Sequence, residues 1–231
     1  MDRKAGGPVP YVKDTPVRRP SLLSRVVRRA ILGIYRLQGW ELTGRLPDVP
    51  KMLIAGAPHS SNWDFVFFIG ATHEAGVKPG FMGKRALFEG AMRDFMYDMG
   101  GVPVDRSGKA NVTQQVAAEF ARRDHLALVM AAEGSRKSDG TWRSGFYHIA
   151  RAAGVPIVPT YVDLANRRLG FGPPIEPTGT YGETLTRIAQ FMRANVPDYP
   201  RYKVLETQAE RVLAEEGYGA RDDLPIPAAK A

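Results

Sequence analysis

From residue 51 onward the chain alternates between short apolar runs and longer runs of helical spacing, and that alternation restricts the fold more than any other feature. "KMLIAGA" (51–57) reads as a strand buried on both faces, and "NWDFVFFIGATHEAG" (62–76) as a buried helix stopped at Gly76. Residues 79–84 suit a short strand and residues 101–105 a short strand or a turn, on either side of a helix over 86–100. A helix over 109–124 leads into the strand "HLALVMAA" (125–132), and a helix over 145–154 into the strand 155–163. A strand or hairpin segment over 167–175 and helices over 182–196 and 201–217 complete the pattern. Strand–helix alternation of this kind predicts an α/β fold: a central mixed, largely parallel sheet flanked by helices. At 231 residues the chain suits one such domain with short appendages.

The appendages differ in character from the body. Residues 1–20 hold four prolines and little apolar pattern, which predicts a mobile arm; residues 218–231 read as a loose tail. Between them, "SLLSRVVRRAILGIYRLQGW" (21–40) has helical periodicity. On a wheel starting at Leu22 the apolar residues Leu22, Leu23, Val26, Val27, Ala30, Ile31, Ile34 and Leu37 fall between 0° and about 180°. Arg25, Arg28, Arg29 and Arg36 fall between about 240° and 340°. A basic amphipathic helix of this kind suits an anionic membrane surface; it also suits a helix packed on the body with solvated arginines.

The charge follows the same division. The chain is +8 overall, and ten Lys/Arg against Asp2, Asp14 and Glu41 place +7 of that in residues 1–45. A nucleic-acid enzyme more often carries its basic surface on the body, so no nucleic-acid partner is expected. With no cysteine the chain has no disulfide, thiolate metal site or cysteine nucleophile.

Three polar stretches interrupt the apolar body. In "APHSSNWDF" (57–65) a histidine and an aspartate follow a buried strand and open a helix, where open α/β sheets carry their sites. Ser61-x-x-Asp64 has capping-box spacing. Asp64 either caps the helix beside a boundary histidine or fixes one imidazole nitrogen of His59, leaving the other to take a proton. In "GGVPVDRSGK" (100–109) Arg106 follows a strand, either as an anion clamp or as a solvated turn residue. "MAAEGSRKSDGTWRSG" (130–145) runs from a strand into Glu133-Gly134-Ser135-Arg136, with Arg143 before the next helix; Arg136 is a second candidate clamp in what is otherwise a polar loop. His73, His125 and His148 stand at no metal-ligand spacing, and no P-loop, dinucleotide fingerprint or nucleophile elbow is present.

In order and spacing these segments resemble the glycerophospholipid acyltransferase family, of the 1-acylglycerol-3-phosphate acyltransferase type. The resemblance rests on His59 and Asp64 separated by four residues, "GVPVDR" ending at Arg106, "EGSR" (133–136), "WRSG" (142–145) and the Val-Pro-x-x-Pro strand from Val155 to Pro159. Pro58, Pro103 and Ser135 depart from the usual pattern. The resemblance implies an acyltransferase domain over 46–217; the amphipathic pattern before it is read as a membrane-contact helix over 21–45. His59 would be the general base and Asp64 its orienting partner. Arg106, Glu133, Gly134, Ser135, Arg136 and Arg143 would bind substrate. It implies acyl-CoA or acyl carrier protein as co-substrate, with no metal and no other cofactor. The expected acceptor is a lysophospholipid, 1-acylglycerol-3-phosphate first, giving phosphatidic acid; another lysolipid or a lipid-like alcohol is the alternative. A thioester hydrolase and a non-catalytic membrane-surface protein are the readings from other classes. Peripheral attachment to the cytoplasmic face of a membrane through residues 21–40 is the expected location.

Overall fold

The structure is a computed structural model, and it describes residues 19–59, 61, 63–105 and 111–217. Its centre is a seven-stranded sheet in the order β1-β7-β6-β2-β5-β3-β4. The strands are β1 (Glu41–Thr43), β2 (Lys51–Ala57), β3 (Pro79–Lys84), β4 (Gly101–Val104), β5 (Leu126–Ala131), β6 (Ile157–Asp163) and β7 (Arg168–Phe171). Five of them, β6-β2-β5-β3-β4, are mutually parallel, so their carboxyl ends lie along one edge. β7 pairs antiparallel with β6, and β1 follows β7. β2 lies between β5 and β6, with Met52 to Ala57 all buried. A strand covered on both faces has no solvent side, which is why its sequence is an unbroken apolar run.

Among the described residues seven helices cover the sheet: α1 (Leu22–Leu37), α2 (Trp63–Glu74), α3 (Arg93–Met99), α4 (Val112–Arg122), α5 (Gly145–Ala153), α6 (Tyr181–Asn195) and α7 (Pro200–Glu215). Leu53, Leu128, Ile157 and Tyr161 face one layer, packed with Val116, Phe120, Phe146, Ile149, Ile188, Tyr202 and Leu205 from α4 to α7. Met52, Ile54, Val158, Val162 and Leu169 face the other, against Tyr35 of α1 and Phe67 and Ala71 of α2. Two short 3-10 turns, Arg85–Phe88 and Gly90–Met92, lead from β3 into α3.

The N-terminal region differs from the sequence expectation in two ways. The helix does not run to residue 45: it ends at Leu37, and Gly39, at φ +66°, turns the chain into β1. Residues 41–43 therefore belong to the sheet, paired with 168–170. The predicted apolar arc is also divided. Ser24 and Tyr35 are the buried residues of α1, with Ile31 half-buried on the same side near 200° of the wheel. Ser24 Oγ donates to Asp98 of α3 at 2.8 Å, and the Tyr35 ring occupies the space where a Cβ on Gly70 would sit. Leu22, Leu23, Val26, Ile34 and Leu37 are left exposed, Leu37 at 88%. Arg25, Arg29 and Arg36 are exposed beside them.

Candidate active site

The carboxyl ends of β2 and β5 are adjacent, and the loops that leave them bring His59, Asp64 and Glu133 together. After Ala57 the chain turns through Pro58 to His59 and enters α2 at Trp63. Asp64 lies in the first turn of that helix, buried, where unpaired N–H groups and the helix dipole favour a carboxylate. Its Oδ2 accepts from the Ser61 N–H at 3.0 Å, while Ser61 Oγ accepts from the Trp63 N–H at 3.0 Å. The same Oδ2 lies 2.9 Å from His59 Nδ1. Asp64 thus caps the helix and also holds the imidazole. A carboxylate only accepts, so Nδ1 carries the proton and Nε2 presents a lone pair. The His59 side chain is 29% exposed, and among the described residues Nε2 has no partner.

Glu133 closes the site from the neighbouring strand. Its side chain is fully buried, its Oε2 accepts the His59 backbone N–H at 3.3 Å, and Arg201 Nη1 donates to the same oxygen at 2.5 Å. Oε1 is buried without a hydrogen-bond partner among the described residues. Burial raises the Glu133 carboxyl above its ordinary range, against the opposing pull of the His59 N–H and of Arg201. Gly134 follows at φ +70°, and a Cβ there would stand 2.8 Å from Cδ of Arg143, so the arginine stem lies along the glycine. Ser135 Oγ accepts from the Lys137 N–H and shapes the turn. Arg136 and Arg143 are exposed on the same loop. Arg106 lies outside the described residues.

A family model described as Acyltransferase matches residues 44–163. The chain belongs to the acyltransferase family. A 1-acyl-sn-glycerol-3-phosphate acyltransferase of Streptococcus pneumoniae (strain ATCC BAA-255 / R6) is 29% identical over 148 residues, 58% of this chain and 54% of the relative. The chain thus spans about half the length of that curated relative. The crystal structure of the 1-acyl-sn-glycerophosphate acyltransferase PlsC from Thermotoga maritima aligns over 86% of this chain and 83% of its own, at 15% identity and a TM-score of 0.48.

The matched segment of this acyltransferase-family chain holds both members of the His59–Asp64 pair and Glu133, but it stops short of α6 and α7. The guanidinium on the Glu133 Oε2 is that of Arg201, in the first turn of α7. Beside it, the Tyr202 hydroxyl donates to the Ala57 carbonyl at 2.7 Å and accepts from the Val162 N–H at 3.1 Å. Tyr199 also reaches this field: burial raises its hydroxyl, Glu133 and Asp64 add to the rise, and Arg201 opposes it. Pro200 marks where α7 begins, but no local pattern says that its first turn faces two strand ends.

Proposed function

We propose that this chain is an O-acyltransferase that moves a fatty acyl group from a thioester to the hydroxyl of a lysophospholipid, with 1-acylglycerol-3-phosphate the first acceptor to test. The observation that carries this reading is the 2.9 Å contact from His59 Nδ1 to Asp64 at the carboxyl edge of the sheet, with Nε2 unpartnered among the described residues. Nε2 takes the proton of the acceptor hydroxyl as its oxygen attacks the thioester carbonyl. The tetrahedral adduct collapses, the C–S bond breaks, and the imidazolium returns the proton to the departing thiolate. An ester and a free thiol result, with no covalent acyl-enzyme. General-base assistance supplies about 10²–10⁴-fold, so orientation of both substrates must supply much of the remainder. The planar donors of Arg136 and Arg143, on the loop that leaves Glu133, suit the acceptor's phosphate.

The acceptor and product are lipids, and α1 provides a surface for meeting them. Its exposed leucines and valine stand beside exposed arginines, a pairing that suits insertion among anionic headgroups. Among the described residues no helix is long and apolar enough to cross a membrane. With exposed arginines beside its exposed apolar side chains, α1 would lie at the surface, in peripheral attachment. The test of catalysis is thiol release from palmitoyl-CoA, or from palmitoyl-acyl carrier protein, across a lysolipid panel with lipid products identified by mass spectrometry. Acceptor-dependent ester formation that disappears in His59→Ala supports the reading. Thiol release that ignores the acceptor, or transfer that survives His59→Ala, overturns it.

A further inference from the structure

A cavity of about 400 Å³ opens at the same sheet edge, on the side of β3 and β4 away from His59. Arg85, Phe88, Glu89, Arg93, Tyr97 and Pro103 line it. Its apolar wall is fixed in place: a Cβ on Gly83 or Gly101 would stand 2.9 or 2.5 Å from the Phe88 ring, so the ring sits flush on two glycine backbones. Tyr97 packs edge-on to that ring at 5.0 Å between centroids. The polar side is cationic, two guanidiniums against one carboxylate, and among the described residues neither the Arg85 nor the Arg93 guanidinium has an ion-pair or hydrogen-bond partner. None of these residues belongs to the motifs that point to the reacting centre, except Pro103.

Position limits what the cavity can hold. His59 leaves β2, Arg85 leaves β3, and Pro103 is on β4, two and three places along the sheet. At about 4.8 Å per strand the cavity is roughly 10–14 Å from His59. In 1-acylglycerol-3-phosphate about four bonds separate the reacting hydroxyl from phosphorus, a reach of about 5 Å at the span per bond of an extended chain. That phosphate therefore stays near His59, within the range of the loop carrying Arg136 and Arg143. In a phosphopantetheine thioester about thirteen bonds separate sulfur from phosphorus, a reach of about 15 Å. We infer that the Arg85–Arg93 cavity receives the phosphate end of the donor's phosphopantetheine arm. The arm lies along the carboxyl edge of β5 and β3, and its thioester reaches His59. Paired guanidiniums suit a phosphate, and the Phe88–Tyr97 wall offers an apolar side to the dimethyl-bearing carbon next to it. This assignment rests on the thioester reading above. Coenzyme A and acyl carrier protein share the arm.

The experiment compares palmitoyl-CoA, palmitoyl-acyl carrier protein and palmitoyl-N-acetylcysteamine, which has the thioester but no phosphate. Arg85→Ala and Arg93→Ala are each measured against wild type. The ratio of kcat/KM for palmitoyl-CoA to that for palmitoyl-N-acetylcysteamine is expected to fall roughly ten- to hundredfold in each variant. A parallel fall with the carrier-protein donor alone identifies that source. An unchanged ratio with both phosphate-bearing donors, or a rise confined to the KM of the lysolipid, overturns the assignment. If wild type turns over no thioester, the transfer reading has failed, and the cavity is judged by calorimetric titration with coenzyme A. Binding that is lost in Arg85→Ala/Arg93→Ala supports the site; no binding to wild type, or equal binding to the variant, overturns it.

Discussion

Replacing Arg201 with methionine should destabilise the protein in a way that depends on pH. The substitution keeps most of the stem but leaves Glu133, among the described residues, with one 3.3 Å bond, from the His59 N–H, and a second oxygen that already has no partner there. Removing one member of a buried pair costs about 3–5 kcal/mol. The Arg201 side chain is 24% exposed, so roughly 2–3 kcal/mol is expected here at neutral pH. Burial holds the folded-state value of Glu133 above the ordinary 4.5. A carboxyl raised in this way contributes stability that is fully present below 4.5 and is lost as pH rises through the folded value. Loss of Arg201 moves that folded value further up. The penalty of Arg201→Met is therefore largest at neutral pH and shrinks on acidification, as Glu133 takes up a proton. His59 and Tyr199 also face this carboxyl, so the effect is isolated with a double-mutant cycle that includes Glu133→Gln. Urea unfolding followed by circular dichroism at pH 7.5 and pH 5 is the assay. Arg201→Lys should recover part of the loss. A penalty below about 0.5 kcal/mol, or one that does not change between the two pH values and persists in the Glu133→Gln background, would refute the reasoning.

Asp64→Asn can still cap α2 but no longer holds the Nδ1 proton with a charge; kcat should fall about 10²–10⁴-fold with little change in unfolding temperature, in the same ester-formation assay. Gly70→Ala puts a methyl where the Tyr35 ring sits and should cost about 1–3 kcal/mol by thermal unfolding, with faster proteolysis of α1 than of the sheet. Replacing Leu22, Leu23 and Leu37 together by serine should reduce sedimentation with anionic vesicles at low salt while leaving the unfolding temperature within a degree or two, because all three side chains are exposed. Gly134→Ala forces a side chain into the left-handed region at φ +70° and should cost about 1–2 kcal/mol; thermal unfolding checks it.

What the sequence revealed, and what it hid, follows from where each residue finds its partners. β2 was readable because an apolar run of that length needs cover on both sides. Asp64 was readable because His59 and Ser61, which it holds, lie within five residues of it, inside one strand–helix turn. β1 was not: Glu41, Leu42 and Thr43 form a strand only because β7 arrives beside them more than 120 residues later. α1 was readable as a helix, but its wheel could not separate the arc that docks from the arc that does not. That choice is made by Asp98 and Gly70, from two other helices. Arg201 belongs to the same class. Nothing around it signals a site, and its meaning comes from a carboxylate 68 positions away.

The first turn of α7 also bears on how such a domain can be cut and joined. The segment shared with the family ends at residue 163, yet the carbonyl that closes β2 and the carboxylate that closes β5 both take their donors from Arg201 and Tyr202. In this chain the matched segment therefore depends on two contacts made from outside it. A chimaera joined just after β6 would inherit the motifs and lose the two contacts that fasten them. The junction has to fall beyond α7, or bring with it an arginine and a tyrosine that reach the same two strand ends.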